Sequence, residues 1–205
     1  MKKFMVFAAM AAVALVSCNK NGFETDDVNG GGDKKVSALV LNEVDGQNKV
    51  IEIYNNTDKE LSLEGVSIVK YDLKKEGGKS TTWTGAAGMK IAAKSWVYLE
   101  SSDLAVKEEG GDPDYAYQSE NHIFKGGLSP KKNVKLELYD AEGKLLDTFT
   151  RGEEGKGWNQ VSGFAENETN SFCRVPDGTG EWVYAAPTPG KANGEKTGEI
   201  EQTNA

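Results

Sequence analysis

The sequence predicts an all-β protein, built as an antiparallel β-sandwich or barrel. Short runs rich in β-branched and aromatic residues recur along the chain, and turn-forming residues separate them about every dozen positions. Residues 133–139 alternate strictly between apolar and polar side chains, which is typical of an antiparallel strand with one buried face. After Cys18, no apolar stripe of useful length repeats every 3.6 residues, so helices are not expected.

Strands are predicted at 36–44, 49–54, 65–71, 80–84, 95–100, 133–139, 144–150, 171–175 and 181–184. Asp45-Gly46 favours a hairpin turn between the first two strands, and residues 140–143 connect the clearest hairpin. In that hairpin Val134, Leu136 and Leu138 should share the buried face. Residues 102–128 are expected to be an insertion between core strands, with an exposed acidic loop.

The N-terminal residues have the composition of an export signal. Two lysines precede an uncharged apolar run over residues 4–16, which is shorter than the about 20 residues of a membrane-spanning helix. The following Leu15-Val16-Ser17-Cys18 resembles the bacterial lipobox, in which a peptidase cuts before the cysteine. This resemblance implies a lipoprotein signal peptide at 1–17 and acyl chains, such as palmitate, on Cys18. Asn19 replaces the aspartate that favours inner-membrane retention in lipoproteins, which implies the outer membrane.

The rest of the chain divides into three parts. Residues 18–35 are polar and glycine-rich and should form a flexible tether, whereas residues 36–194 form one predicted domain. Residues 195–205 are expected to be a disordered tail. Lipidation of Cys18 leaves Cys173 without a disulfide partner, so the domain must depend on its core, with Cys173 buried as a small apolar side chain.

Charge and export limit the possible partners. Loss of residues 1–17 removes only two lysines among the charged residues, so the formal net charge changes from −8 to −10. Nucleic-acid binding depends on neutralising phosphates with basic residues, and an acidic exported domain is not expected to bind nucleic acid. The expected membrane partner is reached through the lipid anchor at Cys18, on a face of the envelope that the sequence leaves open.

Several motifs resemble those of the lamin tail domain family. They are the Asn-Glu-Val that ends residues 38–44, the Glu-Ile-Tyr-Asn within residues 51–56, and the Leu-rich residues 61–68, with valine at the family's tryptophan position. The most specific are Arg174-Val-Pro-Asp-Gly, followed by Trp182, and Thr188-Pro-Gly-Lys-Ala-Asn193. The resemblance covers residues 36–194. It implies an immunoglobulin-like β-sandwich without enzymatic activity of its own.

No catalytic constellation, cofactor site or metal site is predicted. The only histidine is His122, and no Gly-x-Ser-x-Gly motif is present. Glu43 and Glu52 lie within predicted strands, where each should face solvent or accept hydrogen bonds from backbone amides. The alternative is that both converge with other acids on a cation. Gly178 and Gly180 are expected to adopt positive φ in a tight turn.

The remaining candidates are ligand-binding residues on loops. Trp158 could present its ring to a sugar or pack at the edge of the core. Asp112 and Asp114 could offer oxygen ligands to weakly bound Ca²⁺, without EF-hand spacing. The sequence thus predicts a lipid-anchored cell-envelope lipoprotein whose non-enzymatic domain serves binding, adhesion or scaffolding of an unknown protein or glycan. The alternative is a surface protein that binds or processes glycans through Trp158 and nearby acids.

Overall fold

A computed structural model of the chain describes residues 36–73, 78, 80–102, 120–130, 132–152 and 170–194. These residues contain one short 3-10 helix, Glu120–His122, and twelve strands. The strands are β1 (Leu39–Asp45), β2 (Val50–Asn55), β3 (Leu61–Ser62), β4 (Ser67–Asp72), β5 (Ser80–Thr84), β6 (Lys90–Ile91), β7 (Trp96–Ser101), β8 (Ile123–Phe124), β9 (Val134–Tyr139), β10 (Leu145–Arg151), β11 (Ser171–Val175) and β12 (Glu181–Ala185).

The strands form two large sheets and one small pair. The six-stranded sheet has the order β12-β11-β1-β2-β7-β8, the four-stranded sheet has the order β10-β9-β4-β5, and β3 pairs with β6. Among the described strands, only β7 and β8 pair in parallel. One hydrophobic cluster contains side chains from both large sheets. The predicted all-β, immunoglobulin-like antiparallel sandwich is therefore confirmed.

The hairpin of β9 and β10 shows why the sequence pattern succeeds. Along β9 the side chains alternate between buried and half-buried, with Val134, Leu136 and Leu138 facing the core. The Asp140 carboxylate accepts hydrogen bonds from the backbone amides of Glu142 and Lys144, which fixes the turn. Side-chain period and turn chemistry therefore set the same register.

The central strands β1 and β2 depart from that pattern because all their residues are buried. Leu39, Leu41 and Ile53 face the four-stranded sheet as part of the core. The other face carries polar residues and is covered as well. An antiparallel sheet usually leaves one face to water, so this second covering layer distinguishes the six-stranded sheet.

The expected insertion at 102–128 is only partly correct. Its final residues form β8, which extends the six-stranded sheet, and Phe124 and Leu128 enter the hydrophobic core. The two-residue strands β3 and β6 were also not predicted, since two residues are too short to show a period. The acidic loop expected at 108–114 lies outside the described residues.

Polar side chains connect the two sheets at the start of β1. There β11 pairs with β1 only at Glu43 and Val44, so the backbone of Leu41 needs other partners. The Leu41 amide donates to the Asp147 carboxylate at 2.9 Å, and Arg174 Nε donates to the Leu41 carbonyl oxygen at 2.9 Å. Arg174 and Asp147 also form an ion pair with an N–O distance of 3.0 Å. This pair holds β10 of one sheet against β1 and β11 of the other.

The core accounts for the stability of the sandwich. We expect Leu136→Ala to lower the free energy of unfolding by about 2–5 kcal/mol, because the side chain is fully buried between the sheets. Leu145→Ala in the same hairpin is the control, since Leu145 is 48% exposed, and should change stability by about 0.5 kcal/mol or less. Urea denaturation measures both variants. Equal losses would contradict the assigned faces of the hairpin.

Candidate functional site

A C-terminal strap, residues 187–193, covers the outer face of the six-stranded sheet. Glu43, Glu52 and Tyr98 lie side by side on β1, β2 and β7. The strap reaches each in turn: Thr188 binds Glu43, Gly190 binds Glu52, and Gly190 then approaches the Tyr98 ring. The strap returns at Asn193, whose side-chain amide donates to the carbonyl oxygens of Asn42 and Arg174.

Glu43 is the first of two buried carboxyl groups beneath the strap. Its oxygens accept hydrogen bonds from the Thr188 amide at 3.1 Å and from the Ser171 hydroxyl at 2.6 Å. Burial raises its pKa to about 7, although these hydrogen bonds oppose the shift.

Glu52 is the second, directly opposite Glu43 in the β1–β2 register. It accepts from the Gly190 amide at 2.7 Å and from the Asn42 side-chain amide at 2.8 Å. Burial, with a smaller contribution from the neighbouring carboxylates of Glu43 and Asp177, raises its pKa to about 8. Two adjacent buried carboxylates repel each other, so at neutral pH the pair retains a proton.

A β-bulge at Asn42 completes this network. The β1–β2 register shifts between Leu41 and Glu43, and Asn42 is fully buried. Its side-chain Nδ2 also donates to the Asp177 carboxylate at 2.9 Å, while its side-chain Oδ1 accepts from the Gly178 amide at 2.9 Å. The bulge thereby connects the β11–β12 turn to both β1 and β2.

Two glycines make that turn compact, for different reasons. Gly178 has a φ of +71°, as predicted, and a Cβ there would collide with the side chain of Asn56. The positive φ expected for Gly180 is wrong. A Cβ at Gly180 would lie 2.1 Å from the Val175 carbonyl group, so close backbone approach is what requires glycine.

The reactive side chains near the C-terminal strap are not presented to solvent. Cys173 is free and fully buried, as expected, and its Sγ lies 3.1 Å from the Ser171 hydroxyl. Burial, together with nearby Glu43, holds the pKa of the thiol well above its usual range, so it remains a thiol rather than a nucleophilic thiolate. Within the described part of the chain, no three His, Cys, Asp or Glu side chains are arranged to hold a metal ion.

A second site, the basic end pocket, opens at one end of the sandwich. It has a volume of about 330 Å³, and its charged lining residues are Lys49, Lys70, Asp72, Lys132 and Arg151. Arg151 is buried, and its guanidinium donates to the carbonyl oxygens of Lys132 and Ser129. Burial lowers the Arg151 pKa to about 10, so the group remains charged at neutral pH.

Comparison with known families identifies the fold. The statistical description of the lamin tail domain matches residues 33–153, which is more than half of the chain. The chain belongs to the lamin tail domain family. A search among curated proteins gave no match.

The structure carries the lamin tail domain fold beyond the matched residues. Strand β11 pairs with β1 in the middle of the six-stranded sheet, and β12 pairs with β11. Phe172 and Tyr184, from these two strands, belong to the hydrophobic core. The closing motifs noted in the sequence therefore complete the lamin tail sandwich and its strap.

The structure corrects one expectation for Glu43 and Glu52 and confirms another. Neither side chain faces solvent, since both are fully buried. Both accept backbone amides, as predicted, but from a strap more than 130 positions away in the chain rather than from nearby residues. The Asn42 side-chain amide links Glu52 to Asp177, and the donors around the two glutamates are amides and hydroxyls.

Three of the four tryptophans pack against the lamin tail sandwich. Trp83 is buried and donates through Nε1 to the Asn121 carbonyl oxygen, and Trp96 stacks near Tyr54 with ring centroids 5.6 Å apart. Trp182 packs against Phe149, and the guanidinium of Arg174 lies over the Trp182 ring, 4.6 Å from the ring centroid.

The ligand-binding candidates Trp158, Asp112 and Asp114, and the lipidation candidate Cys18, lie outside the described residues. Their proposed roles therefore stay predictions. His122 is half-buried next to β8, where burial lowers its pKa.

The buried pair predicts the pH dependence of stability. Its folded pKa values, about 7 and about 8, exceed the ordinary value of 4.5, so the folded state holds protons that the unfolded chain releases. Stability from this pair is fully present below about pH 4.5 and is lost as pH rises through the folded values. We expect the free energy of unfolding, measured in urea, to be lower at about pH 8.5 than at about pH 5.5.

The variant Glu52→Gln assigns this effect to the pair. Its amide nitrogen cannot accept from Gly190 or Asn42, so stability at the lower pH should fall by about 1–3 kcal/mol. The pH dependence should become shallower because one titrating group is gone. Glu142→Gln, in the exposed β9–β10 turn, is the control and should change neither quantity. An unchanged slope in Glu52→Gln would disprove the assignment.

Proposed function

We propose that the protein is a lipid-anchored, non-enzymatic binding module of the bacterial cell envelope. The N-terminal residues supply the export signal and the lipobox cysteine, Cys18. The domain would bind or scaffold a partner outside the cytoplasm, at the outer membrane. Two observations support this proposal. The lamin tail domain family is generally non-catalytic, and the two ends of the sandwich have different geometry.

The point at which the chain enters the sandwich supports attachment through the N-terminal residues. The chain enters the sandwich at Ser37, whose hydroxyl donates to the Leu146 carbonyl oxygen near the β9–β10 turn. The basic end pocket lies at the other end of the same strands, where Lys49 directly precedes β2 and Arg151 ends β10. Since β1 has seven residues, about 20 Å separates the two ends. An anchor at Cys18 would therefore connect to one end of the sandwich through the expected tether at 18–35, and the pocket lies at the other end.

The described acids support a non-catalytic role. A general acid or nucleophile must reach a substrate, and the carboxyl groups with the most perturbed pKa values are instead sealed beneath the strap. Over the described ranges, no helix is both long enough and apolar enough to cross a membrane. The lipid at Cys18 is the membrane attachment that we propose.

The alternative of glycan binding or processing receives no support from the described tryptophans, because each packs against neighbouring side chains. That alternative depends on Trp158 and nearby acids, and Trp158 lies outside the described residues. The same holds for a weak Ca²⁺ site, which depends on Asp112 and Asp114.

Cell fractionation with a lipid label tests the anchor. The wild-type chain should incorporate a palmitate analogue and sediment with membranes, whereas Cys18→Ser should do neither. Asn19→Ser is the matched control, since it leaves the cysteine and the residues before it intact, and it should behave as wild type. If Cys18→Ser fractionates with membranes like the wild type, the anchor proposal fails. Protease treatment of intact cells then shows which face carries the domain.

A further inference from the structure

The end of the sandwich at which the chain enters carries two exposed apolar side chains. Val36 is 45% exposed and Leu145 is 48% exposed, and among the described residues these are the only large apolar side chains that are exposed. Single exposed apolar residues are ordinary on a protein surface. Two that lie at the same end of the molecule indicate a surface that contacts something apolar.

A hydrogen bond brings these two residues close together. The Ser37 hydroxyl donates to the Leu146 carbonyl oxygen at 2.6 Å, and Val36 and Leu145 directly precede the two bonded residues. Tyr139 is half-buried and lies opposite Leu145 in the β9–β10 register, so both side chains point to the same side of the sheet. Val36, Tyr139 and Leu145 together are named the entry patch.

The charges beside the entry patch favour contact with a surface that carries no net charge. The exposed part of the β9–β10 turn contains one acid, Glu142, and one base, Lys144, whose formal charges cancel. The chain as a whole has a formal net charge of −8, so this end lacks the acidic excess found elsewhere. A contact made here depends on apolar burial, which salt does not screen.

The proposed lipid anchor reaches the domain at the same end. The expected tether at 18–35 leads from Cys18 to Val36, and a flexible chain of this length would span about 20–25 Å on average. That distance is similar to the length of the sandwich along β1, so the entry end would stay near the lipid. A weak contact then becomes effective, because the anchor makes it intramolecular, with an effective concentration in the millimolar range.

We propose that the entry patch docks on the lipid bilayer that holds the Cys18 anchor. Val36 and Leu145 enter the boundary between the lipid headgroups and the acyl chains, and Tyr139 lies at the headgroup level, where amphipathic rings are favourable. The entry end of the sandwich is then held against the membrane, and the basic end pocket is directed away from it. This inference rests on the proposed anchor and adds a second contact between the domain and the same membrane.

Chemical attachment to a nanodisc tests the docking independently of lipidation in cells. The protein is the mature chain that remains after the expected removal of residues 1–17. Cys173 is fully buried, so a maleimide phospholipid should react with Cys18 in the folded chain. The nanodisc consists of phosphatidylcholine and a lipid with a nitroxide on its headgroup, which broadens the NMR signals of nearby amides. One chain per nanodisc excludes contact with a second copy.

The expected result is broadening at one end of the sandwich. The amides of Gly143 and Leu145 should broaden strongly, because they lie in or next to the entry patch. Those of Gly126 and Gly127, which line the basic end pocket, should keep sharp signals. Added salt should leave this difference unchanged, since the contact is apolar.

Variants separate docking from the effect of the tether, which by itself keeps the entry end near the membrane. In Val36→Ser/Leu145→Ser the broadening at Gly143 should fall about threefold or more, because the apolar contact is lost while the attachment remains. Glu142→Gln, in the same turn, is the matched control, since it keeps the entry patch and should behave as the wild type. Thermal unfolding checks that each variant is folded, as expected for substitutions of exposed side chains.

Either of two results would overturn the docking. One is equal broadening at both ends of the sandwich in the wild-type chain. The other is broadening at Gly143 that is the same in the double variant as in the wild type, since the tether alone would then account for it. Because the attachment is chemical, loss of docking would leave the proposed anchor standing. Absence of lipid labelling at Cys18 in cells would remove the anchor and leave the measured contact with the bilayer.

Discussion

The buried pair Glu43 and Glu52 is the constraint on which the rest of this sandwich depends. Two carboxyl groups placed opposite each other on adjacent central strands are unfavourable unless donors surround them and a proton is retained. The strap supplies the amides of Thr188 and Gly190, while the bulge at Asn42 supplies a third donor. Because the buried acids need these donors, the C-terminal strap is held against β1 and β2. The strap thereby covers the outer face of the sheet.

This arrangement separates the structural chemistry of the molecule from any chemistry directed at a ligand. Glu43, Glu52, Ser171 and Cys173 would be attractive catalytic groups in an open cleft, but here they bind one another or the strap. The basic end pocket differs, since Lys49, Lys70 and Lys132 line a cavity at the end of the sandwich. A rigid sandwich with a closed acidic face and a basic pocket at one end is suited to presenting a binding site.

Local pattern was sufficient to predict most of the strands and the β9–β10 hairpin, because one buried face imposes strict alternation. The resemblance of the closing motifs predicted the family and the inclusion of β11 and β12. Burial of Glu43 and Glu52 could not be predicted, because in sequence they occupy the polar positions of ordinary half-exposed strands. The residues that cover them lie 145 and 138 positions further along the chain. The pocket was missed for the same reason, since Lys49, Lys70, Lys132 and Arg151 meet only in the fold.

Hydrogen exchange at the amides of Thr188 and Gly190 shows whether the strap is held to the buried carboxyl groups, because both amides should be bound to them. At about pH 6 we expect both amides to exchange several orders of magnitude more slowly than in an unstructured peptide. Exchange at both amides should accelerate together in Glu52→Gln. Exchange at the rate of an unstructured chain in the wild-type protein would show that the strap is not held to the sheet.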